Sequence, residues 1–98
     1  MNSFTTVKFQ KWICFIEMGI YPNGRKAIEL INARSGEPVL VATINVPEIC
    51  INEDEVIIKN YSENEGILDA LIGAEIISRP VRIIQTGLIE SPICKLLN

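Results

Sequence analysis

The stretch Glu53–Ile77, EDEVIIKNYSENEGILDALIGAEII, decides how this chain is read. It holds a strand, a polar connection and the one convincing helix signal. Val56, Ile57 and Ile58 are three β-branched residues in a row, which suits a buried strand. Lys59 and Asn60 end the run. Ser62 precedes Glu65 by three positions. That is the spacing of a capping box, in which the serine oxygen accepts from the Glu65 amide and the glutamate reaches back to the Ser62 amide. Glu63 and Glu65 in a first turn also suit the positive end of the helix dipole. Ile67, Leu68, Leu71 and Ile72 follow as one apolar stripe, with Asp69 pointing away from it. Gly73 offers a left-handed cap, and Pro80 stops any long continuation. The spacing predicts a helix of about ten residues, roughly three turns. A helix this short needs a sheet to hold it.

The residues before this stretch supply that sheet. Phe4, Val7 and Phe9 alternate weakly, as in an edge strand or a frayed end, with residues 1–6 the part expected to fray. Trp12 to Tyr21 reads as a strand. Pro22-Asn23-Gly24 is a three-residue hairpin loop, with proline presetting the first turn position and glycine taking a left-handed one. Arg25 to Asn32 is the return strand. Ser35-Gly36-Glu37-Pro38 makes a second turn, and Val39 to Val46 a third strand that Pro47 breaks. If Tyr21 pairs with Arg25, Glu17 faces Glu29 and Phe15 faces Ile31. If Ala33 pairs with Val39, Ile31 faces Val41 and Glu29 faces Thr43. One face then collects Cys14, Ile16, Met18, Ile20, Ile28, Leu30, Leu40, Ala42, Ile44 and Val46 as the core side. The other carries Ile13, Phe15, Ile31, Val39 and Val41 beside Glu17 and Glu29, more apolar surface than is comfortably left in water. Either the C-terminal strands or a second copy is expected to cover it. After the helix, Val81 to Thr86 reads as a strand, Gly87 as a turn, and Leu88 to Leu97 as a final extended segment whose Pro92 points to an edge or a break. The fold class is therefore α+β: one domain over residues 1–98, an antiparallel sheet with a helix packed on it.

Ninety-eight residues with 48% hydrophobic and 21% charged side chains describe a folded chain rather than a disordered one. No apolar run approaches the ~20 residues of a membrane span, and MNSFTTVKFQKW lacks a signal-peptide core. A cytoplasmic protein is expected. Cys14, Cys50 and Cys94 are odd in number and widely spaced, so neither a disulfide framework nor a zinc site is suggested and all three are expected to be buried or inert thiols. Net charge is −3, unevenly spread. Residues 48–75 carry eight acids against Lys59 alone, while the flanking segments are each net basic. That balance argues against direct nucleic-acid binding. The acidic middle is the feature that would meet a partner, although a solvated helix face explains it equally well.

Histidine is absent, which removes Ser-His-Asp and Cys-His catalysis and the commonest metal ligand. No phosphate-binding glycine motif occurs. Glu53-Asp54-Glu55 lacks the mid-loop glycine and terminal glutamate of a calcium loop. Glu63 and Glu65 suit a helix cap better than acid/base work. No metal or cofactor is expected, and no enzyme.

PNGR at 22–25, GEP at 36–38, TINVP at 43–47, DEVIIKNYSENEGIL at 54–68 and TG at 86–87 resemble a small domain-of-unknown-function family of bacteria, phages and mobile elements. The resemblance covers nearly the whole chain after residue 18 and is most specific at IKNYSENEG. It implies no activity and carries over no catalytic residue. It implies a setting, the short accessory protein of a mobile genome, in which binding and blocking host machinery is common.

Two functions remain open. The first is a non-enzymatic interaction protein that inhibits a host defence or nucleic-acid enzyme through an acidic surface of Asp54, Glu55, Glu63, Glu65 and Asp69. Its partner would be a host protein. The second is an oligomeric binder of a small ligand such as a nucleotide signal, with Arg25, Arg34, Tyr61, Arg79 and Arg82 gathered between protomers.

Overall fold

A computed structural model describes residues 6–97; of the residues 1–6 expected to fray, 1–5 lie outside the described part and Thr6 already begins a strand. The α+β class holds, with two four-stranded antiparallel sheets where one was expected. The first sheet is a meander of β1 (Thr6–Phe9), β2 (Trp12–Ile20), β3 (Lys26–Asn32) and β4 (Pro38–Val41). The second comprises β5 (Thr43–Ile44), β6 (Glu55–Ile58), β7 (Arg82–Thr86) and β8 (Ile89–Lys95), in the order β5-β6-β8-β7.

The long third strand read from sequence is two strands that meet at Ala42. The Ala42 amide donates to the Ile28 carbonyl of the first sheet at 2.7 Å, and its carbonyl accepts from the Lys59 amide beside the second at 2.8 Å. One residue thus belongs to both hydrogen-bond networks. The β2–β3 register is as expected: Phe15 faces Ile31 and Glu17 faces Glu29. The first hairpin closes between Tyr21 and Arg25, and Gly24 takes φ +88°. The β3–β4 register differs. Glu29 faces Val41 rather than Thr43, because the turn closes with the Asn32 amide donating to the Glu37 carbonyl instead of pairing Ala33 with Val39, a slip of three places of which the bulge between Leu30 and Ile31 recovers one.

Cys14, Ile16, Ile28, Leu30 and Ala42 from the first sheet meet Val56, Ile58 and Cys94 from the second in one core. Ile20, expected there, is 70% exposed. It closes β2 against Lys26 beside the exposed hairpin loop Pro22–Gly24, at the end of the strand.

The helix is shorter than its signal. A 3-10 turn at Ser62–Asn64 precedes α1 (Ile67–Gly73). The capping box does not form. Ser62 itself has φ +55° and opens the 3-10 turn, which leaves Glu65 outside the helix. Asn60 takes over, its Oδ1 accepting from the Gly66 amide at 3.2 Å and the Leu68 amide at 3.0 Å. Gly73 stays helical and Glu75 adopts the left-handed position, φ +61°. Ile67 and Leu71 enter the common core, and α1 lies against β1.

Pro92 sits inside an interior strand, not at an edge or break. The β6 ladder runs only from the Glu55–Lys95 pair to the Ile57–Ile93 pair, so it has ended before Pro92 needs an N–H to donate. The C-terminal strands build the second sheet and do not cover the outer face of the first.

Candidate interaction surfaces

The outer face of the first sheet remains open. Ile13 and Phe15 on β2 are 47% and 37% exposed, and Val41 on β4 is 43% exposed. Ile31 lies half-buried between Phe15 and the bulge, while Val39 turns inward at the bulge and packs against the core. One step along the strands, Glu17 stands directly opposite Glu29. Like charges so placed repel. Neither carboxylate is within salt-bridge distance of a cation among the described residues, where the ion pairs are Lys59–Glu63 and Arg82–Glu55. Beyond the glutamates, Gly19 faces Ala27, and these small residues floor a shallow depression of about 260 Å³ edged by Glu17, Glu29, Ile20 and Val41.

The acidic residues singled out from sequence divide. Asp54, Glu63, Glu65 and Asp69 are exposed. Asp54 lies just before β6, Glu63 and Glu65 lie beyond its far end, and Asp69 follows them on α1. Glu63 is partly neutralised by Lys59 Nζ at 2.7 Å, which lowers its pKa and raises that of the lysine. Glu55 leaves the set. It is 2% exposed, and its carboxylate accepts from Arg82 Nη1 and Nη2, each at 3.0 Å, and from the Asn52 amide at 2.8 Å. These donors hold its pKa below the ordinary value, the arginine first. The β-strand alternation that put Val56 and Ile58 in the main core sends Glu55 and Ile57 to the sheet's other side. On that side Arg82 is directly opposite Ile93, and Ile57 and Ile93 are 2% and 0% exposed.

The arginines of the expected ligand site are mostly committed to structure. Arg82 also donates to the Cys50 carbonyl at 3.0 Å. Arg25 donates to the carbonyls of Val46 (2.8 Å), Pro47 (3.4 Å) and Ile49. Together they clip residues 46–52 as a strap over the second sheet's outer side. A sequence gives no sign of this, because the acceptors are backbone carbonyls. Arg34 lies in the β3–β4 turn, at the opposite end of β3 from Arg25, which a seven-residue strand sets roughly 20 Å away. Arg34 instead borders a depression of about 470 Å³ with Lys11, Trp12 and Asn32. Lys11 Nζ stands 4.9 Å from the Trp12 ring centroid. Arg79 is exposed, and Tyr61 is half-buried beneath Lys59. Within one protomer these five residues form no single site.

One further residue escaped the sequence reading. Asn64 is 1% exposed and donates to the Val41 carbonyl at 2.8 Å, tying the approach to α1 to the point where the chain changes sheets. Of the three cysteines expected to be buried or inert, Cys14 and Cys94 are buried and Cys50 is exposed on the strap. Burial raises both buried thiols, Cys94 to about 11.

Among the described residues no helix is long and apolar enough to cross a membrane. No family model, curated protein or solved structure matches the chain.

Proposed function

We propose that this chain is a non-enzymatic interaction protein that binds a partner protein through the outer face of its first sheet. The observation that carries the reading is the open patch of Ile13, Phe15 and Val41 beside the uncompensated Glu17–Glu29 pair. Apolar area supplies the driving force for association. Two facing carboxylates choose a partner that brings a lysine or arginine, because such a cation relieves their repulsion as it docks. The exposed acids Asp54, Glu63, Glu65 and Asp69 add a long-range field of the same sign, which speeds encounter with a basic protein. In the mobile-genome setting that the resemblance implies, the partner is a host protein and the effect is to block a defence or nucleic-acid enzyme.

The test uses two variants in a pull-down from host cells, each with its fold verified by circular dichroism. Phe15→Ser with Glu29→Lys should abolish capture of the partner that wild type retains. Asp54→Lys with Glu63→Lys and Asp69→Lys should slow association and weaken its salt dependence. If the first variant captures the partner as wild type does, the sheet face is not the docking surface. The small-ligand reading rests on one observation, the Lys11, Trp12 and Arg34 depression. A nucleotide panel that raised the melting temperature of wild type but not of Arg34→Ala would favour it.

A further inference from the structure

The second sheet ends in a bare edge. Each of the other strand edges is blunted in its own way. β1 carries Lys8 and lies against α1, β4 opens with a proline and runs on into the second sheet, and β5 is two residues long. β7, RIIQT, has neither lysine nor proline, and its outer edge pairs with nothing in the described chain. Such an edge is a template for another strand.

The hairpin geometry says which groups are free. Thr86 pairs with Ile89 across the two-residue loop Gly87-Leu88. Gly87 has φ +64° at the first loop position, as a type II′ turn requires. A two-residue loop closes on a hydrogen-bonded pair, and such pairs alternate along an antiparallel ladder. Arg82, Ile84 and Thr86 therefore turn their backbone groups toward β8. Ile83 and Gln85 turn theirs outward.

We propose that β7 pairs antiparallel with β7 of a second copy, about a two-fold axis at Ile84, to join two second sheets into one. An axis normal to the sheet at Ile84 sets Ile83 opposite Gln85 of the other copy. Each then donates and accepts with the outward groups just identified. Arg82 falls opposite Thr86, so no like charges meet. The same register brings Leu88 of one copy beside Pro80 and Val81 of the other. Leu88 is 97% exposed at the hairpin tip, Val81 is 46% exposed, and Ile83 is 55% exposed. One symmetric contact thus gathers Leu88, Val81 and Ile83. The outer face of the first sheet takes no part, so this pairing stands or falls independently of the docking surface.

Sedimentation velocity from micromolar to submillimolar concentration reads the association. Wild type should sediment as a dimer. Gln85→Pro removes only an outward N–H and should give a folded monomer. Leu88→Asp alters a side chain that touches almost nothing within the protomer, and should also give a monomer with unchanged circular dichroism; it decides the matter if the proline variant does not fold. Ile84→Cys in a Cys50→Ser background should form an interchain disulfide under mild oxidation, because a pair on the axis that is not hydrogen-bonded brings the two Cβ atoms close. A wild-type monomer throughout the range would overturn the proposal. So would a dimer unaffected by Leu88→Asp and lacking the cross-link.

Discussion

Removing the charge of Glu55 tests the strap most directly. Glu55→Gln keeps the size of the side chain but sets an amide NH2 donor against a guanidinium that has no acceptor for it. The carboxylate accepts three hydrogen bonds, two from Arg82 and one from the Asn52 amide. Bonds to a charged group are each worth about 1.5–3 kcal/mol, but the Arg82 side chain is 43% exposed and recovers part of its loss in water. A net cost of about 2.5 kcal/mol follows, or roughly 10–20 °C of melting temperature for a domain of this size. Arg82→Ala should cost more, about 3–4 kcal/mol, because it strands a carboxylate that is 2% exposed. The pH dependence carries the sign. In the wild type the folded pKa lies below the ordinary 4.5, so the carboxylate's contribution is complete above pH 4.5 and is lost as pH falls toward the folded value. The gap between wild type and Glu55→Gln should therefore narrow on acidification. In Arg82→Ala the buried carboxylate loses its main cation and its folded pKa rises, so that variant should gain on wild type as pH falls. Urea unfolding of the three proteins at several pH values measures all of this. Costs below about 0.5 kcal/mol, the range of ordinary surface changes, would refute the strap reasoning, and so would a gap independent of pH.

Three other expectations follow from named contacts. Asn60→Ala should cost about 1 kcal/mol in thermal unfolding while Ser62→Ala costs a few tenths, since Asn60 and not Ser62 caps α1. Asn64→Ala should cost about 1 kcal/mol by urea unfolding, because it removes the partner of the partly buried Val41 carbonyl. Under native conditions a thiol reagent followed by mass spectrometry should label Cys50 rapidly and leave Cys14 and Cys94 untouched until the chain unfolds.

Where apolar periodicity met a recognisable turn, the fold was legible. The first hairpin register follows from PNG, and alternation placed Cys14, Ile16, Ile28 and Leu30 on the buried side. The errors occur where a backbone choice decides. Val39 to Val46 reads as one apolar strand, and nothing in its residue types marks Ala42 as the point of transfer between sheets. The tighter turn at Asn32–Glu37 and the bulge at Leu30/Ile31 together moved Val41 by two places without changing its face. Ser62 and Glu65 have the spacing of a capping box, but Asn60 competes for the same amides and Gly66, at φ +95°, accepts the tight entry that results. Of the candidate site, the outer apolar patch and the Glu17–Glu29 pair were visible because both follow from strand period. Arg25, Arg82 and Glu55 were misread because long-range contacts to carbonyls and a cross-sheet carboxylate leave no local pattern.

The division at Ala42 also bears on how the chain is made. Each sheet draws its strands from one continuous half of the sequence, 6–41 and 43–95, yet the core between them belongs to both. During synthesis the first half leaves the ribosome as a finished meander with Cys14, Ile16, Ile28 and Leu30 facing no second layer. It waits about fifteen further residues for Val56 and Ile58, and more than fifty for Cys94, before all of its inner face is covered. The interval before closure is set by translation rather than by the speed of strand pairing. A nascent chain stalled after Val46 would present that inner surface to chaperones, and one released after Lys95 would not.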